Sequence, residues 1–228
     1  MRGTLGIRRI GHGGTLDPLA TGLLPVLVGT ATKYFDRLHE AHKVYAAVIS
    51  FGRETDTDDR EGKVTRVSPA PSQADAEAAL PAFRGVIQQI PPTYAAVKVG
   101  GRPAYARARA GETVVLAARE VQVFRLEVTR WTERDEMGLL MVCSAGTYVR
   151  SLARDLGRAV GSAAHLGGLR RLAVGALDVG DATTVEALRH EGRDAAIARI
   201  RPLDDGLLAL DARYLSEAAD KLVPQGDA

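Results

Sequence analysis

The chain has 228 residues, 46% of them apolar and 25% charged, with a mean hydropathy of -0.07; this is a soluble globular composition, long enough for one full domain and a small appendage. No apolar run approaches the roughly 20 residues of a membrane helix, and the basic start leads into no apolar stretch of the kind a secretory signal needs, so a cytoplasmic protein without membrane contact is expected. The single cysteine, Cys143, excludes an internal disulfide and a multi-cysteine metal site, and its apolar surroundings suit a buried structural thiol.

The formal net charge of +2 is unevenly spread: residues 1–200 hold 27 basic and 22 acidic side chains, residues 201–228 hold 3 and 6. Of the 30 cations 25 are arginine, whose planar fork suits phosphates and base stacking; a GC-rich coding bias would produce the same excess. In chain order, Thr30 to His42 sets Ala31, Tyr34, Phe35 and Leu38 at helical spacing and reads as one amphipathic helix. Lys43 to Phe51 is β-branched and aromatic, as in a buried strand. A polar loop, Gly52 to Gly62, leads to a short strand, Lys63 to Val67. Ser72 with Asp75 three residues on caps a helix ending near Gly85. Gln88 to Gly101 is extended, and Pro103 opens a short helix to Ala110. Two strands, Glu120 to Trp131 and Gly138 to Ser144, flank the turn ERDE, after which Thr147 caps a helix from Tyr148 to Val160. Strands alternating with helices, and neighbouring strands joined by tight turns, predict an α/β (α+β) fold with a mixed, mostly antiparallel sheet flanked by helices. Residues 1–201 read as a single domain and 202–228 as the start of a C-terminal appendage.

The densest chemistry lies in Gly11 to Gly22, GHGGTLDPLATG, with four glycines, a histidine and an aspartate in twelve residues. Gly13 and Gly14 permit close backbone approach, while Pro18 bars Asp17 from helical geometry and holds it in an extended loop. In isolation a D-P pair is more often a turn in which the aspartate bonds its own backbone.

From Gly11 through Lys33 the chain resembles the signature GHxGTLDPxATGxLxxxxGxATK of the TruB family of tRNA pseudouridine synthases. The resemblance continues at Lys43 to Tyr45, in GxxTDTxDxxG at Gly52 to Gly62, at Ile87 to Arg109, in CSxGTYxRxLxxDLG at Cys143 to Gly157, and in AHLGGLRRLAVG at Ala164 to Gly175. It implies the pseudouridine synthase fold and isomerisation of the uridine at position 55 in the tRNA T loop. Asp17 would then be the catalytic residue. One carboxylate suffices because uracil is detached from C1′, turned and rejoined through C5 without water, whereas glycosidases need two. Asp17 would act either as nucleophile on C1′ or as the base of a glycal route, and neither requires a metal or cofactor. The resemblance pairs Arg150 with Asp17; independently, a cation in the first turn of a helix opposes the macrodipole and calls for an anionic partner. It also makes Tyr45 the aromatic that packs on the flipped base, Leu169 and Tyr148 walls of the pocket, and His12 the side chain that fills the vacated space. Arg107, Arg109, Arg170 and Arg171 would contact phosphates. The simple alternatives are core packing for Tyr45, Tyr148 and Leu169, a cap for His12, and solvated surface for the arginines.

Rival readings are weaker. His39 and His42 lack the spacing of H-E-x-x-H, and Asp56, Asp58 and Asp59 lack the glycine and glutamate that complete a calcium loop. No phosphate-cradling glycine motif is present. A glycoside hydrolase would need a second carboxylate or a metal near Asp17. A non-catalytic tRNA-folding protein with the same pocket would not need Asp17. The family pattern also leads to the expectation of about twenty residues ahead of the GHxGTLD motif, with a first strand and a KPxGxxS-like segment, where this sequence has the ten residues MRGTLGIRRI. The expected partner is the T arm of tRNA, bound by a monomer without a guide RNA.

Overall fold

The computed structural model describes residues 2–203, apart from positions 96, 100, 111, 113 and 114. In chain order the elements are α1 (Arg2–Leu5), β1 (Ile10–His12), β2 (Thr21–Gly22), β3 (Val26–Val28), α2 (Phe35–Glu40), β4 (Lys43–Phe51), β5 (Arg53–Thr55), β6 (Val64–Val67), α3 (Gln73–Ala79) and β7 (Gly85–Gln89). There follow β8 (Lys98–Val99), β9 (Arg102–Pro103), α4 (Ala104–Arg109), β10 (Arg119–Thr132), β11 (Glu136–Cys143), α5 (Val149–Ala159), β12 (Ala164–Val174), β13 (Leu177–Asp178), α6 (Val185–His190) and α7 (Gly192–Ala198). Two compact units are distinguished, one built from residues up to Val44 and from Arg170 onward, the other from Tyr45–Leu169.

The sheet of the second unit runs β12-β4-β11-β10-β7. β11 buries residues on both faces from Met137 to Cys143, which is why its sequence is an uninterrupted apolar run and why the Cys143 side chain is fully buried. β10 pairs antiparallel with β11 from Val123↔Cys143 to Thr132↔Glu136, and with β7 from Arg119↔Gln89 to Val123↔Gly85. Helix α5 buries Val149, Leu152, Ala153 and Leu156, one apolar stripe at helical spacing. Its Gly157 allows close approach to the start of β12: a Cβ there would lie 2.6 Å from Ala164 Cβ and N. Ser72 caps α3 as expected, its Oγ accepting from Asp75 N at 3.1 Å.

In the first unit β1 pairs antiparallel with β3, β2 runs parallel to the end of β12 at Arg170↔Thr21 and Arg171↔Gly22, and β13 is antiparallel to β12. Leu23, Ala41 and Val174 form a small core, with Leu177 and Val179 packed on it.

The mixed, mostly antiparallel sheet with flanking helices agrees with the expectation from sequence. Three local expectations are corrected. Thr30 to His42 is not one helix: Gly29–Tyr34 is a 3₁₀ turn, and only Phe35–Glu40 is α-helical; Thr32 Oγ1 donates to Gly29 O, and such local bonding competes with α-helix. Pro103 ends β9, and the helix begins at Ala104. Thr147 does not cap α5. Its hydroxyl donates to Ser144 O at 3.0 Å, closing the preceding turn, and the helix begins at Val149 with Tyr148 as the flanking residue. The expected appendage falls almost wholly outside the described residues.

Candidate active site

Asp17 lies on the loop between β1 and β2. Gly13 N donates to Pro25 O at 2.8 Å at the base of the loop, and Ala20 N donates to Asp17 O at 2.9 Å, so the aspartate opens a turn whose φ is preset by Pro18. Leu19 and Leu23 are buried and pin the loop's apolar side. Asp17 itself is partly exposed, and His12 is exposed at the end of β1, opposite Val26. Three backbone carbonyls of this segment converge on one buried guanidinium, that of Arg171: Nε donates to Leu23 O at 2.8 Å, Nη2 to Gly14 O at 3.2 Å and Nη1 to Thr15 O at 3.3 Å. Arg171 is 1% exposed. Its expected role as a phosphate contact is therefore corrected, since a buried head group cannot meet RNA. Arg170, next to it on the opposite face of β12, is exposed.

The other candidate residues belong to the second unit. Arg150 is the second residue of α5 and is buried, at 5% exposure. Its Nη1 donates to Thr57 O at 3.2 Å and lies 3.7 Å from Asp59 Oδ2, while Nη2 donates to Tyr94 O at 3.4 Å. Asp59 thus supplies a carboxylate beside a cation that the helix dipole disfavours. Asp59 is itself held by Thr57 Oγ1 at 2.7 Å and by Glu61 N at 3.0 Å, both donating to Oδ1. Tyr148 precedes α5 and is locked by Gln89 of β7. The Tyr148 N donates to Gln89 Oε1 at 3.0 Å, and Gln89 Nε2 donates to Tyr148 O at 3.2 Å. The Arg119 guanidinium carbon lies 5.6 Å from the Tyr148 ring centroid, within cation–π range. Tyr45 is partly exposed near the start of β4, and Leu169 is buried on the neighbouring strand β12.

Further along α5 the arginines at i+4 and i+8 from Arg150 meet acids of β5 and of the loop that follows it. Arg154 Nη1 pairs with Asp58 Oδ2 at 2.8 Å, and its Nη2 donates to Ile90 O at 2.8 Å. Arg158 grips Glu54 with two bonds, 3.0 Å from Nε and 2.8 Å from Nη2, and Arg66 adds two more, 3.2 Å from Nε and 2.7 Å from Nη2. The hydrogen bonds from Arg158 hold the Glu54 carboxyl below its ordinary range, against the opposing effect of burial. Burial pushes the Asp58 carboxyl up despite Arg154, because desolvation there outweighs the ion pair. Glu54, Asp58 and Asp59 therefore organise the helix that carries Arg150. Asp59 and Gln89 were not among the candidates, and Arg171 was one only as a phosphate contact. An arginine stripe at i, i+4 and i+8 in one segment, with an acidic loop elsewhere, is the signal that would have suggested the Asp59 contact.

The chain matches the family model for the TruB family pseudouridylate synthase N-terminal domain over residues 2–149, and that for the tRNA pseudouridylate synthase B C-terminal domain over residues 150–212. It is 44% identical over 224 residues to the tRNA pseudouridine synthase B of Novosphingobium aromaticivorans, covering 96% of this chain and 74% of that protein. It is 50% identical over 199 residues to the protein of the same name from Nocardia farcinica, covering 84% and 64%, and 46% identical over 183 residues to that of Brucella anthropi, covering 80% and 56%. Among solved structures, a chain of a Cbf5-Nop10-Gar1 complex superposes with a TM-score of 0.64 at 25% identity, covering 91% of this chain and 52% of that one. A chain of an H/ACA RNP bound to a substrate RNA containing 2′-deoxyuridine shares the fold, with a TM-score of 0.62 at 23% identity, over 91% and 51%. These likenesses define a pseudouridine synthase fold. The chain belongs to the TruB family of pseudouridylate synthases.

Proposed function

We propose that this chain isomerises uridine to pseudouridine in tRNA, at position 55 of the T loop, with Asp17 as the catalytic carboxylate. The observation that carries the reading is the TLDP segment at Thr15 to Pro18, in a chain that belongs to the TruB family. The reaction breaks the N1–C1′ bond, turns the uracil, forms C5–C1′, releases the C5 proton and protonates N1, so atoms balance without water or a redox partner. Asp17 acts on the sugar, either as nucleophile at C1′ or as base at C2′. Arg150 is the cation set against the Asp17 charge, Tyr45 packs on the flipped base, Leu169 and Tyr148 wall the pocket, and His12 occupies the space the base leaves. No cofactor or metal enters these steps. The partner is the T arm of tRNA, bound by a cytoplasmic monomer without a guide RNA. Among the described residues no helix is long and apolar enough to cross a membrane, which is compatible with that location.

The test is pseudouridine formation in a T-arm stem-loop RNA by this chain and by Asp17→Asn. Conversion by the parent, with a loss of at least about 10³-fold in the variant and retained RNA binding, is the expected result. Equal conversion by both removes Asp17 from the chemistry. Release of free uracil would instead indicate a hydrolase.

A further inference from the structure

Arg171 belongs to the most buried side chains of the molecule, yet among the described residues no carboxylate pairs with it. A buried guanidinium is tolerated only where its donors are satisfied, and here the satisfying groups are the carbonyls of Leu23, Gly14 and Thr15. Gly14 and Thr15 stand three and two residues before Asp17, and Leu23 stands six residues after it. One side chain therefore ties together the two limbs of the loop that carries the aspartate. The backbone of the same residue reinforces the tie. Leu23 N donates to Arg171 O at 2.8 Å, and Gly22, with φ +96°, lies so close that a Cβ would sit 2.2 Å from that oxygen.

We infer that Arg171 is a positioning residue for the proposed reaction: a fork that holds the Asp17 loop shut at its neck and so sets where the carboxylate stands. The inference rests on the reading of Asp17 as the catalytic group. Its physical basis is the choice of residue. An apolar side chain of similar volume would fill the same space without the cost of burying a charge, but it would leave three carbonyls unpaired and the two limbs free to part. Lysine, with a compact ammonium, cannot span carbonyls on both limbs as the planar fork does. A displacement of about 1 Å in a reacting group costs roughly 100-fold in rate, so a loosened neck is read in the chemical step and not in RNA affinity.

The experiment uses the 228-residue chain with Arg171→Met and Arg171→Lys. Four quantities are measured: single-turnover pseudouridine formation at saturating enzyme, Kd for a T-arm stem-loop, thermal melting, and amide hydrogen exchange at Ala20 and Leu23 against the β10–β11 hairpin. For Arg171→Met the expected result is a rate about 100-fold lower with Kd within about threefold, and exchange at Ala20 and Leu23 at least about tenfold faster while the hairpin amides are unchanged. Arg171→Lys recovers part of the rate. If Arg171→Met does not fold, the lysine variant carries the comparison by itself, as a partial loss of rate at constant Kd. Unchanged rate and loop exchange in the folded variants overturn the inference. So does a rate that falls in step with Kd, or with a general loosening that includes the hairpin, since both describe a merely structural residue. If the unaltered chain forms no pseudouridine, the functional reading fails, and the loop exchange by itself then decides whether Arg171 holds the neck.

Discussion

Two arginines converge on Glu54, and its carboxyl is 7% exposed while Arg158 and Arg66 remain 56% and 43% exposed. Hydrogen bonds from Arg158 place the folded-state pKa of Glu54 below its ordinary 4.5. The ionised form is therefore favoured by folding, and the contribution is present above 4.5 and lost as the pH falls through the lowered folded value. Because both cations are largely solvated the effect is modest. Glu54→Gln is expected to lower stability at pH 7 by about 1 kcal/mol, with the gap from the parent closing as urea melts are repeated down to pH 3. A gap of the same size at both pH values would mean that charge has no part in it. At this scale Asp17 and Arg150 were legible as candidates because the residues around them form long motifs. Asp59, Gln89 and the buried role of Arg171 were not, since what defines each is a partner 59 to 157 positions away.

Helix α5 joins the core to the candidate site: one face packs Leu152 and Leu156, and its first turn carries Arg150. Its seat depends on Gly157, where the backbone of Ala164 leaves no room for a side chain. Gly157→Ala should raise helix propensity yet destabilise the protein by about 1–3 kcal/mol, because overpacking against backbone outweighs propensity. Ser72→Ala, on the exposed cap of α3, should cost about 1 kcal/mol and leave pseudouridine formation unchanged. Denaturant melts of the two variants, read beside their activity, separate the helix that serves the site from one that serves only stability; a Gly157→Ala protein as stable as the parent would show that α5 has room to shift. Capping was legible where the serine and the N–H it accepts from are neighbours, as at Ser72 and Asp75. It was misread at Thr147, whose hydroxyl finds the nearer Ser144 carbonyl. The break after Tyr34 was also missed, because a threonine-rich stretch can satisfy its carbonyls locally and still show helical spacing.

For the molecule as a whole, charge is the property that bears on a nucleic-acid partner. Residues 1–200 hold 27 basic against 22 acidic side chains, but the structure commits part of that excess internally: Arg150 and Arg154 are buried beside acids and Arg171 in the Asp17 loop. Exposed arginines such as Arg170 remain for phosphates. Each phosphate neutralised contributes about -0.7 to -0.9 to the slope of log K against log salt. For three contacts or more, a slope of about -2 or steeper is expected for T-arm binding between 50 and 200 mM salt. Arg170→Gln should reduce it by about one unit, whereas Arg171→Lys should leave it unchanged. Binding independent of salt would exclude a phosphate-led interface.

What the sequence by itself determined is what rests on near neighbours and on pattern. Apolar runs and turn residues identified the paired strands β10 and β11, Pro18 showed that Asp17 sits outside a helix, and collinear motifs identified the family. Only the tertiary structure decided which charges are surface and which are framework. Burial makes a guanidinium costly unless carbonyls or carboxylates meet it, and those partners come from distant segments. Arg170 and Arg171 are adjacent and chemically identical in the sequence, but the alternation of β12 turns one to solvent and the other into the neck of the Asp17 loop.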